Sequence, residues 1–422
     1  MKPRTKFQHQ VMALSHKLPK ISDTQTKWAF ANCFEHFAHQ TTKGVTTCTE
    51  CGGVWSDKSE SKKVVCPHCT AKLHVQRTRT RTFNAEEYLC IVTTIGGFQV
   101  VRYIYLSVRK KVGQPAYTFS REVLQRWIAP NGKKAVVARL RPTCCWYDTW
   151  QFTSELELRN DNGHYNIQPT KVYPRMSVLP QIKRNGFKGD FNHISPARLF
   201  ELLLTSNRAE TLLKTGYFNL LRRIAYAGVT SIDKHWNSIR IAIRNGYQID
   251  DANLWCDYID LLSAMGKDTS SPKYVCPADL TAEHDRYVQL NLARREREQI
   301  AQKRAKAIED EERFKELKAK FFGIAFTDGT IEVKLLESVA EHLEEGTAMH
   351  HCVFSNRYYL KESSLIFSAK IGGKRIETVE VSLETMQVVQ SRGVCNKNTE
   401  HHDQIVNLVN NNIQSIQKRL TA

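Results

Sequence analysis

The sequence predicts a multidomain α+β protein: a cysteine-knuckle module and a β-rich region at the N-terminal end, helical hairpins and one long helix in the centre, and a C-terminal α+β domain built on an antiparallel three-stranded meander. Three observations predict it. The 422 residues exceed what one compact core holds, and a usual domain size of roughly 100 to 200 residues implies two to four domains. The hydrophobic period switches from helical to strand-like and back along the chain. The hydrophobic share of 41% and charged share of 25% belong to folded rather than disordered chains.

Residues 1–44 read as a helical segment, because "VMALSHKL" and "TKWAFANCFEHFA" space apolar residues at helical intervals, with Ser22 and Asp23 between them as cap candidates. Residues 45–83 hold two Cys-x-x-Cys pairs and a strand-like tail. From 84 to 190 the segments "YLCIVTTI", "FQVVRYIYLSVRK" and "KKAVVARLR" are rich in Val, Ile and Tyr, and Gly96-Gly97 reads as a two-residue hairpin turn, so a curved sheet or small barrel is expected. Prolines 169, 174 and 180 interrupt any ladder in the connection that closes this region. Helices return over 191–280, where Pro196 follows Ser195 at a first helical position and Gly216, Gly228, Gly246 and Gly266 are stop signals. The Gly-Tyr pairs at 216 and 246 suggest two stacked helical hairpins.

Residues 281–322 form a charged helical linker with Glu309-Arg313 and Glu311-Lys315 at helical spacing. Its 11 basic residues face 9 acidic ones, the balance of a solvated spacer rather than a nucleic-acid arm. In 323–422, Ser338 and Glu341 make a capping box for a helix that Gly346 should end, and the following His-His-Cys segment should open the next. "SLIFSAKI", the Gly372-Gly373 turn, "KRIETVEVSL" and "MQVVQSRG" make the meander. A closing helix places Ile405, Leu408, Val409, Ile413 and Ile416 on one face.

The N-terminal stretch has no continuous apolar run of a signal peptide, and no segment approaches the roughly 18 apolar residues of a membrane span, so the expected location is cytoplasmic, with no membrane partner. Twelve cysteines would there stay reduced, and paired Cys-x-x-Cys motifs then point to metal rather than disulfide. Cys48 and Cys51 are separated from Cys66 and Cys69 by 14 residues. Two such knuckles supply the closed tetrahedron of structural zinc, which leaves no position for substrate and serves folding. The module resembles a zinc ribbon; the bland alternative is reduced free cysteine in a hairpin.

Beyond it comes "RTRTRTF". As a strand, it would set Arg77, Arg79 and Arg81 on one face, spaced to follow a phosphate backbone; a charged strand edge that resists aggregation is the competing use. The net charge of +18 supports a polyanion partner, DNA or RNA, because it is localised: residues 1–83 carry 14 basic against 5 acidic residues and 84–190 carry 16 against 8, whereas 323–422 carry 10 against 12.

The C-terminal "EEGTAMHHCVFSNRYY" sets two histidines beside a cysteine. A cysteine near a helix start beside histidines is a candidate nucleophile, with Glu380, Gln390, Arg392 and Asn396 as polar partners carried by the meander. A metal set of His350 or His351 with Cys352, Cys395 and His401 or His402 lacks ligand spacing, and a third reading makes Cys352 and Val353 core. Gly346, Met349, His350, His351, Cys352, Val353, the Thr378-x-Glu380 strand, Gln390-x-Arg392-Gly393 and Asn396 together resemble the PcfJ-like family of conjugative plasmids, integrated elements and phages. That resemblance implies a mobile-element setting and little mechanism. The expected function is a nucleic-acid-associated protein of a mobile genetic element, with conjugation or phage proteins as further partners. The alternatives are a cysteine-dependent enzyme acting through Cys352 with His350 or His351, and a scaffold for transfer proteins.

Overall fold

Helices α1 (Lys6–Ser15) and α2 (Asp23–Cys33) begin where Thr5 and Ser22 accept the backbone N–H three residues on, and Gln8 and Gln25 reach back to close two capping boxes. The computed structural model describes residues 1–57, 61–144 and 147–421. It groups into two units, Met1–His284 and Asp285–Ala422.

In the first unit, β1 (Phe37–Gln40), β2 (Val45–Cys48), β3 (Val54–Ser56), β4 (Lys63–Val65) and β5 (Lys72–Gln76) form a small sheet of order β3-β2-β1-β5-β4. A larger sheet follows from β6 (Thr82–Ile95), β7 (Phe98–Lys111), β8 (Tyr117–Ile128) and β9 (Lys134–Ala138). The short pairs β10 (Thr143–Cys144) and β11 (Tyr147–Asp148), then β12 (Glu157–Arg159) and β13 (Lys171–Val172), complete the strands of this unit, and the large sheet runs β12-β9-β8-β7-β6-β13. It is an open sheet, not a barrel. Gly96 and Gly97 take φ of 55° and 80°, the left-handed pair that a tight hairpin between β6 and β7 demands. α1 buries Val11 against Phe98, Val100, Trp127 and Val137, and α2 buries Ala29 and Cys33 against Leu89, Ile91, Ile104 and Leu106. Both helices therefore cover the same face.

Sequence reading missed β8, whose Arg121, Glu122, Gln125 and Arg126 obscure the alternation. Its inward polar groups are paired: Arg102 grips Glu122 in a bidentate ion pair at 2.6–2.8 Å, and Gln125 accepts from Ser15 and from the Trp127 indole.

Helices α3 (Pro180–Arg184), α4 (Pro196–Thr205), α5 (Asn207–Thr215), α6 (Phe218–Ala227), α7 (Trp236–Arg244), α8 (Ala252–Ala264) and α9 (Pro272–Val275) follow. The two Gly-Tyr turns meet: Tyr217 donates its hydroxyl to Tyr247 O at 2.6 Å and Asn219 donates to Asp250 O at 2.6 Å. The 30-residue spacing thus marks two adjacent hairpins. α10 (Leu280–Lys318) is the long exposed helix, with Lys315 and Glu311 paired at 3.7 Å.

The second unit holds β14 (Ala325–Thr327), β15 (Ile331–Leu335), α11 (Val339–Met349), β16 (Ser364–Ile371), β17 (Lys374–Ser382), β18 (Gln387–Arg392), α12 (His402–Asn411) and α13 (Ile413–Thr421). The expected meander, β16-β17-β18, is there, extended by two short strands to a five-stranded antiparallel sheet. The closing helix is two helices, broken at Asn412, and both bury apolar residues, Ile405, Val409 and Ile416, against one sheet face with Phe367, Val379 and Val381. No helix among the described residues is long and apolar enough to cross a membrane.

Candidate functional site

The four knuckle cysteines converge. Their sulfurs all lie within 4.8 Å of one another, with Cys48 to Cys69 at 3.8 Å and Cys51 to Cys66 at 3.7 Å. A tetrahedral ion with bonds of about 2.3 Å to sulfur requires edges near about 3.8 Å. The two knuckles are built alike: Gly52 N donates to Cys48 O and Thr70 N to Cys66 O, at 3.0 and 2.9 Å, with Gly52 and Thr70 both at positive φ. The N–H groups of Glu50, Gly53 and His68 point at the sulfurs of Cys48, Cys51 and Cys66 from 3.4 Å, the second shell that thiolate ligands need. Burial would raise the Cys66 thiol, yet the backbone N–H groups of Cys69 and His68 and hydrogen bonds with the Cys69 and Cys51 thiols outweigh it and bring it to about 7. The cluster could hold a metal ion. The first knuckle is also tied to the large sheet, since Glu50, between Cys48 and Cys51, takes Lys110 Nζ of β7 at 2.6 Å, and Glu50 pairs with His36 at 3.0 Å as well.

Arg77, Arg79 and Arg81 do not lie on a strand. They occupy the irregular link between β5 and β6, where the Thr80 N–H turns back to Thr78 Oγ1 and His39 takes the Thr78 carbonyl. Local turn bonds replace the ladder, so the expected single arginine face is not formed. Arg77 Nε donates to Gln40 at 2.8 Å, and Arg79 and Arg81 are exposed.

At the other end of the chain, helix α11 runs through Gly346 to Met349. His350 then takes the left-handed cap at φ 54°, ψ 44°, its N–H bonded to Gly346 O. The expected break at Gly346 is therefore displaced by one turn, and no helix starts at His351. Gly346 serves close packing: a Cβ there would lie 3.1 Å from the His351 carbonyl. Cys352 follows a helix C-terminus, where the dipole gives a thiolate no help.

Six of the seven expected residues, His351, Cys352, Glu380, Gln390, Arg392 and Asn396, line one pocket of about 190 Å³ with Val353, Tyr358, Ile366 and Thr378. His350 lies outside it. Strand register explains the floor: Ile366 pairs with Glu380, Glu380 with Gln390, and Thr378 with Arg392, so these side chains share a face. Gln390 Nε2 donates to Glu380 Oε2 at 2.7 Å and Lys361 Nζ stands 3.6 Å from Glu380 Oε1. His351 Nε2 donates to Gly393 O at 2.6 Å, which leaves Nδ1 as the lone-pair nitrogen of the neutral ring. Arg392 also donates to Asn398. Cys352 is exposed while Val353 is buried, so only half of the core reading survives.

Two fully buried carboxylates that sequence reasoning passed over brace this floor. Glu345 accepts from Arg375 Nε and Thr378 Oγ1, both at 2.8 Å. Glu377 accepts from Ser391 and from Thr399 N and Oγ1, with His402 at 3.0 Å. Burial would raise the Glu377 carboxyl, but these bonds hold it below the usual range. A signal existed for Glu345, which sits one turn before Met349 on the buried stripe of α11.

Residues 254–406 match the model of a family described as PcfJ-like protein. No curated protein and no solved structure matches the chain.

Proposed function

We propose, from the match of residues 254–406 to the PcfJ-like family model, that this chain is a nucleic-acid-associated protein of a conjugative or other mobile genetic element. The N-terminal zinc-ribbon and β-rich region makes the nucleic-acid contact in this reading, with zinc as the ion of Cys48, Cys51, Cys66 and Cys69. The observation that carries it is the localised charge, 30 basic against 13 acidic residues over 1–190, in the stretch that also holds the four-cysteine cluster. Four thiolates in a closed shell favour zinc over harder ions, and the ion would stabilise the fold of the knuckles rather than react. The test is the salt dependence of polynucleotide binding by the full-length protein. Affinity should fall by about 10³ or more between 50 and 200 mM salt if several phosphates are neutralised. Binding that is absent at low salt, or flat with salt, would overturn the reading.

A second reading is favoured by the pocket. Cys352 is exposed beside His351, Glu380 and Arg392, a set suited to a cysteine-dependent reaction on an anionic or carbonyl group, with His351 Nδ1 as the base and Arg392 as the counter-charge.

A further inference from the structure

Strand register in the large sheet places three rows of side chains on the face opposite α1 and α2. Across β6, β7 and β8 they are Asn84, Arg109 and Tyr117, then Glu86, Ser107 and Phe119, then Tyr88, Tyr105 and Arg121. Farther along the same face α4 packs against β7 and β8, and Tyr105 is buried beneath Phe152, whereas the first row, Asn84, Arg109 and Tyr117, is exposed among the described residues. Tyr117 is 67% exposed, and Phe119 and Tyr88 are half-buried. The rings are held before any ligand arrives: Tyr105 packs on Tyr88 at 5.7 Å and on Phe152 at 4.9 Å, and Phe152 packs on Phe119 at 5.0 Å. Trp150 anchors Tyr88 through a 2.7 Å hydrogen bond to its hydroxyl.

Charge accompanies the rings. The Arg121 guanidinium lies over Phe119 at 5.9 Å. Arg109, Arg121 and, one row on, Lys111 are exposed, and among the described residues none of them has an ion-pair partner. Glu86, the acidic residue of these rows, sits beside the Tyr105 hydroxyl.

We infer that this half-sheet binds a single-stranded polynucleotide, with bases stacked on Tyr117 and Phe119 and the backbone following Arg109, Lys111 and Arg121. The inference rests on the nucleic-acid reading above and gives it a strand type and a surface. Paired bases hide their ring faces in the stack, whereas unpaired bases offer them to an aromatic platform. Cations without partners on an aromatic surface fit a polyanion with π-faces better than a protein surface, which would leave those charges to be desolvated unpaired.

The experiment is fluorescence anisotropy on the full-length, metal-replete protein, with a thymidine-only DNA strand, a uridine-only RNA strand and a blunt duplex of equal length. At least one single strand should bind about tenfold or more tighter than duplex. Tyr117→Ala, at an exposed position that folding does not need, should weaken single-strand binding about five- to hundredfold, the range for one lost base stack, and Tyr117→Trp should restore it. Arg121→Gln should lower the salt slope by about one phosphate contact. Duplex bound as well as single strand, with Tyr117→Ala silent, would overturn the platform and leave the nucleic-acid reading standing. No binding to any probe would overturn both.

Discussion

At the scale of single residues, Cys352 decides between chemistry and architecture. Its side chain is exposed in the folded chain, so a thiol-directed electrophile should label it without denaturant. Cys352→Ser should change stability by no more than about 1 kcal/mol, since neither a cavity nor a stranded polar group is made. Loss of biological function in that variant would favour the enzyme reading, and full function would remove it. His342 behaves in the opposite way. It is buried between Phe314 and Tyr359, its Nδ1–H bonded to Ser338 O at 2.9 Å, and burial pushes the imidazole down to about 4. In the unfolded chain it titrates near about 6.5. Between those values the unfolded chain binds the extra proton, so this contribution to stability is complete above about pH 6.5 and is lost as pH falls toward 4, by about 3 kcal/mol. The ring's own NMR titration checks this: its signals should stay at neutral positions down to about pH 4, and a midpoint near 6.5 would contradict the burial argument.

At the scale of elements, legibility followed local rules. The Thr378-x-Glu380 and Gln390-x-Arg392 pairs could be placed on one face because a strand repeats every two residues, and the floor of the pocket is built that way. The Gly372-Gly373 turn read correctly for the same kind of reason, with φ of 55° and 81° that only such a turn requires. Where tertiary bonds override pattern, the sequence misled. Alternating Arg and Thr suggested a strand at 77–81 that turn hydrogen bonds dissolve, and a glycine suggested a helix end at 346 where close backbone approach is what it provides. β8 was hidden because its polar side chains find partners that only the fold supplies, Arg102 across the sheet and Ser15 on α1, and the aromatic rows it completes were hidden with it. The knuckles were legible in full, as spacing alone carries them. If the knuckles hold the proposed zinc, Cys66→Ser should reduce bound metal well below one equivalent per chain. It should also loosen the bond between Ala116 N and Glu50 O, 2.9 Å in length, which would appear as faster amide exchange at the β7–β8 turn. Unchanged metal content would exclude the site.

At the scale of the whole molecule, the two units carry different electrostatics. The first 190 residues hold nearly all of the net charge of +18, and residues 323–422 are slightly acidic. A slight acidic excess gives a polynucleotide no net attraction, whereas Arg392 supplies a local positive charge to a small anion in the pocket. The division of labour we propose has the N-terminal region holding nucleic acid and the C-terminal pocket holding a small group. Photo-crosslinking of the intact protein to a mixed-sequence polynucleotide, followed by peptide mapping, tests that division most directly. The account predicts adducts concentrated within residues 1–190, with Tyr117 and Phe119 among them. Adducts confined to residues 323–422 would contradict it.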